Sequence, residues 1–182
     1  DNFIDSGVKR ILTTDLHNPA IRGFYRKIPF ENLRALYKVL VDHLRLKEKD
    51  FLQNAYLAPP DVGSARRNRG VGKRLNLRSI YFDKIRNEND EIEEIKIVGD
   101  IRGKNALMVD DMISTGGTIC EAAYVLKEHG AERIYVLATH GGFCNDKKGK
   151  NALEKIAESP IEKVIITDSI PQISNGKIEI VS

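Results

Sequence analysis

One segment constrains the fold of this chain more than any other: Leu107-Met108-Val109-Asp110-Asp111-Met112-Ile113-Ser114-Thr115-Gly116-Gly117-Thr118. An apolar strand delivers two carboxylates to its C-terminal end, where open α/β sheets bind ligands. A loop of Ser, Thr and Gly follows and opens a helix. Gly116 and Gly117 let the backbone approach a ligand and turn its N–H groups inward. The helix start adds partial positive charge, which suits a phosphate. Ser114, Thr115 and Thr118 add hydroxyl donors, while Asp110 and Asp111 can accept hydrogen bonds from sugar hydroxyls or anchor Mg²⁺. The plainer alternative is an Asp-rich turn before an ordinary capped helix. Paired acids together with Thr-Gly-Gly-Thr favour a site for a phosphorylated sugar. The segment lacks the Gly-Lys-Ser/Thr ending of a Walker A loop and is not GxGxxG.

The rest of the chain alternates β-type and helical patterns around that segment. Strands are expected at Arg10 to Thr14, Ala55 to Ala58 (stopped by Pro59-Pro60), Ser79 to Phe82, Glu94 to Val98, Ala106 to Val109, Arg133 to Thr139, Lys163 to Thr167 and Lys177 to Val181. Helices are expected over Glu31 to Leu46, where Leu33, Leu36, Leu40, Val41 and Leu44 keep the helical period, and over Ser64 to Leu75, Thr118 to His129 and Lys148 to Glu158. Residues 84 to 94 are dense in charge and read as a mobile loop, or as a solvated hairpin tip. The fold class is α/β, a parallel sheet with flanking helices.

Composition narrows the function classes. The 182 residues suit one domain, or one with part of a second, and the chain begins Asp1-Asn2-Phe3 without methionine, as a piece of something longer would. A formal charge of +3 does not announce a nucleic-acid binder. The run Arg66, Arg67, Arg69, Lys73, Arg74 has no interleaved aromatics for stacking and reads as a solvated helix beside an anionic site. Unbroken apolar runs reach only Ala122 to Leu126 and Ile134 to Ala138, far short of the ~20 residues needed to span a bilayer. Cys120 and Cys144 fit no disulfide framework and suggest a reducing compartment, so a cytoplasmic location is expected. His43, His129 and His140 read as structural. Asp15 and His17, two apart on a loop, could share a metal, or His17 could serve as a general acid or base.

The Asp110–Thr118 segment resembles the phosphoribosyl pyrophosphate signature of the type I phosphoribosyltransferase fold. Four further segments resemble ribose-phosphate pyrophosphokinases in collinear order. Thr14-Asp15-Leu16-His17 with Ile21-Arg22-Gly23-Phe24, continuing into Ile28-Pro29-Phe30-Glu31-Asn32-Leu33, is similar to that family's Asp-Leu-His segment and the link between its halves. Pro60-Asp61-Val62-Gly63 resembles its Pro-Asp-x-Gly-Gly turn, with Ser64 in place of the second Gly. Lys84-Ile85-Arg86 matches its catalytic loop, and Thr167-Asp168-Ser169-Ile170-Pro171 a late strand and turn.

The resemblance implies transfer of the β,γ-diphosphate of ATP to the C1 hydroxyl of ribose 5-phosphate. It implies that Ser114, Thr115, Gly116, Gly117 and Thr118 hold the 5-phosphate and Asp110 and Asp111 the ribose hydroxyls. His17 and Asp61 would place Mg²⁺, and Lys84 and Arg86 would stabilise the transition state, Arg86 also touching the ribose phosphate. Ser114 stands where the family carries Asp, removing a negative charge beside the phosphate. The family has two similar halves. Residues 1–30 therefore read as the end of the N-terminal, ATP-side domain and residues 31–182 as the ribose-5-phosphate domain, expected to bind ligand better than it turns over. The partners implied are ATP, ribose 5-phosphate and further copies in a dimer-based homo-oligomer, with neither nucleic acid nor membrane. A salvage phosphoribosyltransferase and a non-catalytic synthetase-associated subunit are the other readings.

Overall fold

Short β-branched runs separated by amphipathic helices fold in the order their spacing dictates. The computed structural model describes residues 2–61, 64–86, 92–174 and 176–182, with the side chains at 65–66, 84–86 and 92–94 outside that description. Helix α1 (Asn2–Asp5) precedes strand β1 (Ile11–Thr14), and a 3₁₀ turn (Pro19–Phe24) leads to β2 (Phe30–Leu33). A π-helical turn (Leu36–Leu40) runs into α2 (Val41–Lys47), then α3 (Lys49–Gln53) and β3 (Ala55–Leu57). Helix α4 (Ala65–Leu75), β4 (Arg78–Ser79), β5 (Tyr81–Arg86) and β6 (Ile92–Val98) follow. The chain continues through β7 (Asn105–Ile113), α5 (Gly117–Glu128), β8 (Ile134–Gly141), α6 (Ala152–Glu158), β9 (Lys163–Thr167) and β10 (Ile178–Val181).

Six strands form one sheet in the order β10-β9-β8-β7-β3-β4, parallel throughout, as the alternating pattern implies. Its central strands are covered on both faces. Met108, Val136, Ala138, Val164 and Ile166 lie in the core that includes Ile119, Ala123 and Leu126 of α5 and Ile156 of α6. Leu107, Val109, Tyr135, Leu137 and Ile165 lie in the opposite core with Leu40, Val41, Leu44, Phe51 and Val71. Neighbouring residues of β7 and β8 thus serve opposite layers, which is why both strands read as unbroken apolar runs. Among the described residues no helix is long and apolar enough to cross a membrane.

Strands β1 and β2 form a separate parallel pair, from Ile11↔Phe30 to Thr14↔Leu33. This corrects the helix expected from Glu31: Glu31 to Leu33 pair with β1. The helical turn begins only at Leu36, whose N–H donates to Asp15 Oδ2 at 2.7 Å. The pair is fastened to the large sheet by the same Asp15 oxygen, which accepts from Thr139 Oγ1 at 2.8 Å, and by His140 Nε2 on Thr14 O at 2.9 Å. His140 and His43, which meets Glu179 Oε1 at 2.8 Å, are structural, as expected.

Of the stretch expected as a mobile loop or a hairpin tip, residues 84–86 and 92–94 are strand, which agrees with the hairpin alternative and corrects the loop. β5 and β6 pair antiparallel from Tyr81↔Val98 to Arg86↔Ile92, because backbone pairing tolerates charged residues on an open two-stranded ribbon. Only residues 87–91 of that stretch lie outside the described structure. Helix α6 starts four residues later than its pattern suggested. Asp146 accepts from the N–H groups of Lys148 and Lys150 and holds them in a turn, and Asn151 then caps the helix through a capping box with Glu154.

Candidate functional site

Strand β7 runs past both acids to Ile113, further than the Val109 limit expected, and its backbone places the two carboxylates within the sheet's C-terminal rim. The start of the loop after it is braced from the segment that follows β8. Gly142 and Phe143 N–H groups donate to Ile113 O at 2.9 and 3.1 Å, and Cys144 N–H to Ser114 O at 2.9 Å. Lys155 of α6 donates to Thr115 O at 3.2 Å and pairs with Asp146 at 2.6 Å. Gly116 sits at φ +71° as the N-cap of α5, where a side chain would be strained and its Cβ would stand 3.4 Å from that of Ala152. The exposed Ser114, Gly117 and Thr118 surround the start of a twelve-residue helix, whose first N–H groups have no intrahelical acceptor. An arrangement of this kind can receive an anion.

The acids form a cluster with two residues distant in sequence. His17 Nδ1 donates to Asp111 Oδ2 at 2.8 Å. Arg67 of α4 forks across the pair, Nη1 to Asp110 Oδ1 at 3.0 Å and Nη2 to Asp111 Oδ2 at 2.9 Å. Asn68, fully buried beside it, donates to Ser64 O at 2.9 Å and to Val109 O at 2.8 Å and so pins α4 to β7 one residue before the acids. The two carboxylates differ in setting. Asp111 is 2% exposed and covered by its partners, whereas Asp110 is 18% exposed. Burial pushes Asp110 up to about 6, with the adjacent Asp111 raising it further and Arg67 and the Asp111 N–H opposing. Burial pushes Asp111 up as well, but Arg67, Asp110 and His17 together outweigh it and leave that carboxyl below its ordinary value.

Beside this cluster a cleft of about 630 Å³ opens between the 3₁₀ turn, β2 and α4. Arg22, Arg34, Arg67, Arg69 and Lys73 line it together with His17. The basic run on α4 is therefore more than a solvated face: Arg67, four-fifths buried, belongs to both cleft and acid pair. Spacing could not show this, because Arg67 is 43 residues from Asp110 in sequence. The one available signal is its position just after the Pro-Asp turn, at the helix start. Asp15, a loop acid by its sequence, is likewise a held position, marked by a φ of +40°.

Other expected site residues fall as follows. Asp61 is exposed, and its Oδ1 accepts from Ser64 N–H at 2.7 Å in a tight turn. Gly63 lies outside the described residues. Lys84 and Arg86 are on β5, with side chains outside the description. The structure thus brings together His17, Asp110 and Asp111, and sets the Ser114–Thr118 loop directly after them. Among the described residues no three His, Cys, Asp or Glu side chains converge as a metal cage.

Comparison with known proteins points in one direction. Residues 85–180 match the family described as phosphoribosyl synthetase-associated domain. The ribose-phosphate pyrophosphokinase of Helicobacter hepaticus is 39% identical over 183 residues, covering 100% of this chain and 56% of that protein. That of Chlorobaculum tepidum is 43% identical over 165 residues, covering 91% and 48%. The crystal structure of a phosphoribosylpyrophosphate synthetase from Mycobacterium smegmatis matches with a TM-score of 0.83 at 28% identity, over 97% of this chain and 55% of that one. The chain spans about half the length of the curated relatives it matches.

Proposed function

The chain belongs to the phosphoribosyl synthetase-associated domain family, and from that premise we propose that it forms the ribose-5-phosphate side of a ribose-phosphate diphosphokinase. The observation that carries this is the 2.8 Å bond from His17 to Asp111, spanning 94 positions. It joins the Asp-Leu-His segment to the acid pair and the phosphate loop, and a sugar-phosphate site alone does not need it. The relatives named ribose-phosphate pyrophosphokinase support the same reading.

In this reading the Ser114–Thr118 loop and the start of α5 receive the 5-phosphate, and Asp110, the more exposed of the two acids, accepts from a ribose hydroxyl. The C1 oxygen forms a bond to the β-phosphorus of ATP, the bond from that phosphorus to the α,β-bridging oxygen breaks, and AMP leaves with that oxygen. The C1 hydroxyl proton is released. Little covalent work falls to the protein, so catalysis is positioning and charge neutralisation. Lys84 and Arg86, carried on the β5–β6 hairpin, would neutralise charge developing on the transferring group. Arg86 would also meet the ribose phosphate.

Mg²⁺ is the ion proposed for this site, since it keeps several waters and is usually bound through one or two carboxylates plus phosphates rather than by a full protein cage. Asp61 offers an exposed carboxylate, and His17 has its Nδ1 engaged by a carboxylate, which leaves Nε2 as the ligand atom. Bound there, the ion would neutralise the diphosphate and polarise it. The reading carries with it ATP as co-substrate, a dimer-based homo-oligomer and a cytoplasmic location.

The test is AMP release from ATP by the intact polypeptide containing this chain, with Mg²⁺ and with or without ribose 5-phosphate. AMP formed only when the sugar phosphate is present is the expected result. No AMP, or consumption of phosphoribosyl pyrophosphate dependent on a nucleobase, overturns it.

A further inference from the structure

The two neighbouring aspartates are not equivalent, and the difference assigns them separate tasks. Asp111 is 2% exposed, and one of its oxygens, Oδ2, takes both the imidazole of His17 at 2.8 Å and the guanidinium of Arg67 at 2.9 Å. Its other oxygen accepts the Met112 N–H at 2.9 Å. A carboxylate used in this way offers little to a sugar hydroxyl. What it holds does face a ligand: His17, 73% exposed, and Arg67 both line the basic cleft. Five Arg and Lys side chains line that cleft. Asp15 is the one carboxylate among its described lining residues, and its Oδ2 is occupied by Leu36 N–H and the Thr139 hydroxyl. A guanidinium has five donors, so two spent on the carboxylates leave others for phosphate oxygens.

We infer that Asp111 is a positioning residue, which orients His17 and Arg67 toward a di- or triphosphate group in the cleft and leaves ribose recognition to Asp110. The inference rests on the proposed function for the identity of the two ligands, and it adds a division of labour between adjacent acids. It also makes a sign prediction. If Asp111 acted only through its charge, removing it would tighten binding of a nearby anion, because like charges repel. If it acts by fixing the Arg67 guanidinium, and with it the His17 ring, removing it weakens that binding.

The experiment measures two dissociation constants by calorimetry on the intact protein in magnesium-free buffer, with inorganic tripolyphosphate and ribose 5-phosphate titrated separately. Asp111→Asn is expected to weaken tripolyphosphate by about tenfold, the scale of one lost charge-assisted hydrogen bond, and to change ribose 5-phosphate by less than about threefold. Asp110→Asn is expected to show the opposite split. Arg67→Gln removes what Asp111 holds and should reproduce the Asp111→Asn pattern, which covers the case in which Asp111→Asn fails to fold. A purely structural defect would move both ligands together. Tighter tripolyphosphate binding in Asp111→Asn, or equal loss of both ligands in folded Asp111→Asn and Arg67→Gln, overturns the inference while the proposed function stands. A wild-type protein that binds neither ligand sinks both.

Discussion

Burial pushes the Asp110 carboxyl from 3.8 up to about 6 despite a guanidinium 3.0 Å away, so desolvation exceeds the local attraction at this residue. An acid held above its ordinary pKa binds its proton more tightly folded than unfolded. Its contribution to stability therefore falls as pH rises from about 4 to about 6 and stays flat beyond. A pKa displaced that far costs the ionised protein at most roughly 3 kcal/mol. Asp110→Asn, which cannot ionise, should raise the melting temperature at pH 7.5 by several degrees, with the gain vanishing at pH 4. Thermal melts of both proteins at the two pH values check this, and an equal gain at both would exclude the charge as its origin. An acid kept at a stability cost is consistent with the sugar-hydroxyl role proposed for Asp110. Asp110, Asp111 and the Ser/Thr/Gly loop were legible as a site because their chemistry is packed into consecutive residues. Arg67 and Asn68 were not, since their partners stand more than forty residues away and only the docking of α4 on β7 brings them together.

Helix starts and turns set the rigidity of this site. Gly116, at φ +71°, gives α5 an entry that no L side chain adopts without strain. Gly116→Ala should cost about 1–2 kcal/mol and weaken ribose 5-phosphate by roughly tenfold, since a small misplacement of several donors is felt by all of them. Calorimetry alongside a thermal melt separates the two effects, and unchanged affinity would show that the loop tolerates the strain elsewhere. Helix α6 contributes at one remove, because its Lys155 holds the Thr115 carbonyl. Asn151→Ala removes the side-chain half of the capping box, should cost about 1 kcal/mol, and should loosen hydrogen-exchange protection in α6 more than in β7. Element types were largely readable from periodicity, and their limits were not. Glu31 to Leu33 satisfied a helical period, yet a strand partner in β1 took them. The hairpin tip offered by composition over 84–94 is the alternative that agrees with the β5–β6 pairing, whereas the extent of the two strands was not legible, because charged residues in a strand pair through their backbone as well as any others.

At the scale of the molecule the site is a seam. The acid pair lies on β7 of the six-stranded sheet and the Ser114–Thr118 loop directly follows it, whereas His17 follows β1, which belongs to the two-stranded pair. Among the described residues no strand pairing joins the two sheets, so His17 reaches Asp111 only as well as the seam holds. The fastenings described above are polar: Asp15 with Thr139 and the Leu36 N–H, and His140 with Thr14 O. Sequence could place the Asp-Leu-His segment near the acids only through resemblance, because neither period nor composition reports which strands lie side by side. Thr139→Val with His140→Ala removes two of these fastenings while leaving every residue that faces ligand. Thr139 is fully buried, and its loss leaves an Asp15 oxygen short of a donor, a cost of about 1–3 kcal/mol. Amide protection in β1 and β2 should collapse toward that of a loop, while β7 and β8 keep theirs, because the large sheet has its own cores on both faces. Ribose 5-phosphate affinity should change little, since its loop and Asp110 stay in place. On the proposed function, AMP release should fall steeply, because His17 no longer meets Asp111. Hydrogen exchange resolved by segment, with the AMP-release assay beside it, reads both. Equal loss of protection in β1 and β7 would mean the two sheets unfold as one unit and the seam is no weak line at all.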